Sequence, residues 1–162
     1  MNTIANSPAL RTDFAAKASQ NRDRSFWDRI ARKYARQKIK DMEGYKTTLE
    51  AVQKHLQSDF DVLELGCGTG MTALELAGHV QSYTGSDISE EMITIAHARL
   101  AGTDHRNVSF EVGVAGAVET PAQGFDAVLG FNYLHLVPDL AETLAHIRGH
   151  PRKGGLFISK TT

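Results

Sequence analysis

Between Ser25 and Lys40 the apolar positions Phe26 or Trp27, Ile30, Ala31, Tyr34 and Ala35 recur every three to four residues, and six of the sixteen residues are Lys or Arg outside that stripe. The spacing predicts an amphipathic helix with a solvated basic face. Leu49, Val52 and Leu56 repeat the pattern and predict a second helix, with DMEGY as the break before it. Ahead of both, residues 1–24 are small and polar with little periodicity, and read as a flexible arm with some helical character.

From Asp61 onward short apolar runs alternate with helical patterns, the signature of an α/β sheet with crossover helices. Asp61 to Leu65, Val80 to Gly85, Val108 to Val112 and Phe125 to Gly130 read as strands, the third and fourth both internal, and GGLFISK as a fifth. Thr72 to Ala77 reads as helix closing at a left-handed Gly78. Ser89 and Asp139 are N-cap candidates: Glu90 and Glu91 suit the positive end of one helix, and Glu142 completes a capping box in the other. Gly102 and Gly149 close these two helices. The expected architecture is a doubly wound, mostly parallel sheet with helices on both faces. Helices at 25–57 precede a sheet core at 58–162, and the outer edge of the fifth strand offers a route to a homo-oligomer.

A length of 162 residues fits one domain, and 41% hydrophobic with 23% charged residues is ordinary globular composition. The formal net charge of -1 supplies no field that would draw nucleic acid. The single cysteine, Cys67, excludes an internal disulfide and reads as a small buried filler suited to a reducing compartment. No run approaches the roughly 18–20 apolar residues of a membrane span, and the opening lacks the apolar core of a secretory signal, so a cytoplasmic protein is expected. The seven histidines are scattered, with no spacing of the H-E-x-x-H kind, and no metal is expected.

The chemistry concentrates in LELGCGTG, Leu63 to Gly70. Glycines at 66, 68 and 70 follow a strand and open a helix, so the loop admits a ligand close to the backbone and aims free helix N–H groups at it. A dinucleotide fingerprint begun at Gly66 needs a glycine at 71, where Met71 stands. A P-loop needs a Lys after the last glycine, and Met71–Thr72 supplies none. Asp87 closes the second strand about 20 residues on, where an acid can accept hydrogen bonds from ribose hydroxyls.

VLELGCGTG, GSDIS, FDAVLGFNYLHLV and KGGLFIS together resemble the class I S-adenosylmethionine-dependent methyltransferases. FWDRIARKYA is similar to the lid helix of the small-molecule, ubiquinone- and menaquinone-type members. The resemblance implies a Rossmann-like fold, S-adenosylmethionine as cofactor with S-adenosylhomocysteine as product, and a small-molecule acceptor. It also implies site residues. Glu64 would take the cofactor's amino group, and the Gly66–Cys67–Gly68 backbone would pass its methionine portion. Asp87 would hold the ribose. Ile88 would pack on the adenine with Met92 near it, although core packing explains Ile88 equally well and Met92 better. Tyr34 would lie over the cofactor and Asn132 would meet its methionine end, while Tyr133 and His135 would face the acceptor, with His135 a candidate general base. Val114 stands where many members carry an acid, which leaves the backbone of Val114 or Ala115 to read the adenine edge. GHPRKGG also departs from the family pattern. Members continue into a sixth and seventh strand, and this chain reads as five of the seven. Two readings stay open: an active methyltransferase, or a cofactor-binding fragment or non-catalytic member.

Overall fold

The computed structural model describes residues 8–115 and 117–161. Helix α1 spans Pro8–Arg36 without interruption. The boundary expected at residues 24–25 therefore falls inside a helix, and residues 1–7 of the expected arm lie outside the described residues. After Pro8, which suits a first helical turn, no Gly or Pro occurs before Arg36, so nothing in the chain breaks the helix. It ends four residues short of the expected Lys40. Helix α2 spans Met42–Gln53, and DMEGY proves to be its start: the Asp41 side chain accepts a hydrogen bond from the Gly44 N–H at 2.8 Å.

Five parallel strands follow: β1 (Asp61–Leu65), β2 (Ser82–Asp87), β3 (Val108–Val112), β4 (Phe125–Phe131) and β5 (Pro151–Lys160). Their order is β3-β2-β1-β4-β5. Strand β3 is thus an edge, not internal, and only Phe110 of its five residues is buried. Strand β2 begins two residues later than the apolar run indicated, because Val80 packs into the core while Gln81 and Ser82 donate to the Phe60 carbonyl. The crossovers are α3 (Met71–Leu76), α4 (Glu90–Ala101) and α5 (Leu140–Ile147). Gly78 is not left-handed; the chain leaves α3 through a tight 3₁₀ turn, Ala77–His79. Ser89 and Asp139 do cap α4 and α5, accepting from Met92 N at 3.1 Å and Glu142 N at 2.9 Å.

Alternation along β1 sends Val62 to one core and Leu63 and Leu65 to the other. The first core joins β1, β2 and β4 to α2, α3 and α4 through Leu49, Ala73, Leu76, Tyr83, Ile93 and Ala96. The second core is smaller and is closed by Ile147 of α5. Successive crossovers run from β1 outward to β3, then return to β4 on the other side of β1. That reversal leaves a crevice at the carboxyl ends of β1 and β4, where open α/β sheets bind ligands.

Candidate functional site

A cavity of about 1250 Å³ opens at this reversal. It is walled by α1, the α1–α2 connection, the glycine loop, the end of β2, the β3–β4 loop and the β4–α5 loop. Every position expected from the sequence lines it: Glu64 from β1 with Gly66, Cys67 and Gly68 from the loop after it, and Asp87 from the end of β2 with Ile88 and, in α4, Met92. Val114, Ala115, Asn132 and His135 come from the loops after β3 and β4, and Tyr34 from α1.

The glycine loop is left-handed at Gly66, Gly68 and Gly70, with φ of 69°, 53° and 76°. A Cβ on Gly66 would meet the Tyr133 ring at 2.7 Å, whereas one on Gly68 would meet nothing within 4 Å. One glycine is therefore needed for packing, while the other leaves open space beside the backbone. Asp87 fastens this loop: its Oδ2 accepts from Gly68 N and its Oδ1 from Ser89 N, both at 2.9 Å. Burial raises the Asp87 carboxyl, and the Ser89 and Gly68 N–H bonds pull it back.

Glu64 is 3% exposed and accepts a hydrogen bond from the Tyr83 hydroxyl at 2.9 Å. Burial lifts its carboxyl to about 7, against the lowering effect of that bond, with a further upward push from the Asp87 charge. Cys67 is buried as expected, and burial pushes its thiol up. Asn132 adopts φ 51°, the sole positive φ of a non-glycine among the described residues. Asn tolerates that conformation better than most residues, and here it turns the chain out of β4 into the pocket wall. Ala115 is buried; its carbonyl accepts from His150 Nε2–H at 2.5 Å, and Thr120 Oγ1 lies 2.6 Å from His150 Nδ1. The unfamiliar GHPRKGG segment thus supplies the side chain that holds the β3–β4 loop. His135 is exposed at the pocket rim, whereas Tyr133 turns inward onto Gly66 and not toward open space.

Several contributors were not among the expected site residues. Trp27 lines the cavity beside Tyr34, their rings edge-on with centroids 6.3 Å apart, while Phe26 is exposed. Asp28 of α1 reaches α4, its Oδ1 accepting from Ser89 Oγ at 2.6 Å and from Glu91 N at 3.2 Å. Arg24 Nε donates to the Ile88 carbonyl at 3.2 Å. Arg99 donates to Thr69 of the glycine loop and, at 3.1 Å, to the Ala35 carbonyl. No cluster of three or more His, Cys, Asp or Glu suited to a metal occurs among the described residues.

Fold and site define an open parallel α/β protein with a glycine-loop pocket at its strand reversal and an acid at the end of each of β1 and β2. The sequence pattern of the methyltransferase domain family matches residues 62–155, and the chain belongs to that family. The polyketide synthase component of lovastatin nonaketide synthase from Aspergillus terreus is 32% identical over 124 residues, 70% of this chain and 4% of that protein. Magnesium-protoporphyrin O-methyltransferase from Rhodobacter capsulatus is 32% identical over 145 residues, 79% of this chain and 63% of that enzyme. A DhpI–SAH complex superposes with a TM-score of 0.72 at 27% identity, covering 88% of this chain and 70% of that one. The chain spans less than two thirds of the length of either curated relative.

Proposed function

We propose that this pocket binds S-adenosylmethionine and that the protein transfers the methyl group to a small-molecule acceptor, leaving S-adenosylhomocysteine. The observation that carries the reading is the convergence of buried Glu64, the left-handed glycine loop and Asp87, with Asp87 hydrogen-bonded to Gly68 N at 2.9 Å. When bound, the cofactor supplies a methyl group already activated on a sulfonium. The protein's task is alignment in a pocket from which water is excluded.

Glu64 in its ionised form would take the amino group of the methionine portion, directly or through water, while the Gly66–Cys67–Gly68 backbone would pass that portion and Asn132 would meet its end. Asp87 spends one lone pair of each oxygen on the protein backbone and retains others for ribose hydroxyls. Ile88 and Met92, which line the cavity, would supply apolar contact to the adenine, and the backbone of Val114 and Ala115 would read its edge. Helix α1 closes the pocket with Trp27 and Tyr34, which supports a small acceptor of the kind methylated by the ubiquinone and menaquinone type. His135, exposed at the rim, is the candidate to take a proton from that acceptor.

Calorimetric titration with S-adenosylhomocysteine tests the first half of the reading, and absence of binding at millimolar ligand overturns it. Asp87→Ala is expected to weaken that binding by about 1–3 kcal/mol. An unchanged affinity would remove Asp87 from the site. Binding without methyl transfer across a panel of acceptors would instead favour a non-catalytic cofactor-binding role.

A further inference from the structure

Tyr83 lies on β2 in register with Val62, two residues before the pair Glu64 and Gly85. Its side chain therefore shares a sheet face with Glu64 and reaches it diagonally. The position opposite Glu64 is a glycine, and the space a Cβ would take there is filled by the Phe110 ring, 2.7 Å away. Tyr83 is fully buried, and its hydroxyl donates to Glu64 Oε2 at 2.9 Å. A core aromatic needs no hydroxyl. One placed here, bonded to the acid that faces the pocket, has a second use.

We propose that Tyr83 is a positioning residue for the pocket: its hydroxyl favours the ionised form of Glu64 and orients it, leaving Oε1 for a cationic amino group. The proposal rests on the reading of the pocket as a site for the methionine portion of S-adenosylmethionine. The groups that face Glu64 from the surrounding elements are Asp87 at the end of β2, the Cys67 thiol in the glycine loop and the Tyr45 phenol from α2. None of these is a cation, and Arg99 lowers the Tyr45 phenol. Burial and Asp87 both favour the protonated acid, and the Tyr83 bond is what opposes them. Without the hydroxyl, Glu64 at neutral pH is more often protonated, the form that cannot pair with an ammonium group.

Tyr83→Phe keeps the ring and removes only the hydroxyl. In the protein without ligand, ¹³C NMR of the Glu64 carboxyl should show its titration midpoint move up by about one pH unit. An unmoved midpoint overturns the proposal, whatever the ligand proves to be. In S-adenosylhomocysteine titrations the variant should bind about fivefold more weakly near pH 7 and nearly as well as the parent at pH 9. The ligand's own amine titrates identically in both experiments and cancels in the ratio. A loss equal at all pH values marks a purely structural hydroxyl and overturns the proposal. In a Glu64→Gln background the pH-dependent part of the effect should vanish, and its persistence would likewise refute the coupling. If the parent protein binds no S-adenosylhomocysteine, the assignment of the pocket fails while the carboxyl titration still decides the role of Tyr83.

Discussion

At the scale of single residues, a carboxyl such as Glu64, with its midpoint lifted from 4.5 to about 7 by burial, binds its proton more tightly in the folded chain than in the unfolded one. Stability contributed in this way is full below pH 4.5 and is lost as pH rises to about 7. Glu64→Gln removes the titration and keeps an acceptor for Tyr83. The variant should be more stable than the parent at pH 8, by up to about 3 kcal/mol, and the gap should shrink to under about 1 kcal/mol at pH 5. Urea unfolding at the two pH values checks this. The same variant should lose most S-adenosylhomocysteine affinity, so a buried acid that costs the fold stability at high pH is proposed as one the ligand needs. Asp87 shows a related double duty. It closes β2, where the sequence leads a ribose acceptor to be expected, and its two bonds to Gly68 and Ser89 show that it fastens the glycine loop.

At the scale of elements, α1 is held to α4 and the glycine loop chiefly by side chains that reach backbone groups. Asp28 supplements Ser89 at the N-terminus of α4, and Arg99 joins Thr69 to Ala35. The exposed pairs Arg24–Glu90 and Arg32–Glu91 add little by comparison. Asp28→Ala should cost about 1 kcal/mol in urea unfolding and speed amide exchange in α1 and the first turn of α4 while leaving the β1 amides protected. Exchange unchanged in α1 would show that the helix is held by its apolar face alone. The elements most legible in the sequence were those with local signals: β1 and β3 match their apolar runs residue for residue, and Ser89 and Asp139 cap the helices they precede. Less legible were features decided across the fold. The edge position of β3 depends on strand order, and the roles of Tyr83, Asp28, Arg99 and His150 depend on partners from 19 to 64 positions away.

At the scale of the whole molecule, a ligand that binds only the folded protein stabilises all of it. S-adenosylhomocysteine at about 100 times its Kd should add about 2.7 kcal/mol, which for a chain of this size raises the melting temperature by about 5–10 °C. A thermal scan with adenosine at equal concentration separates the ribose and adenine contacts from those to Glu64. No helix among the described residues is long and apolar enough to cross a membrane. The order β3-β2-β1-β4-β5 also bears on how the pocket comes into being. One wall follows β1 and the facing wall follows β4, and Asp61 N meets Asp126 Oδ2 across 65 positions. A nascent chain that has released β1, β2 and β3 already holds the glycine loop and Asp87, but it has neither Asn132 nor His135 to face them. Closing that long loop is entropically the slow kind of contact. The arrival of β4 beside β1 therefore completes the central sheet and encloses the pocket in the same folding event.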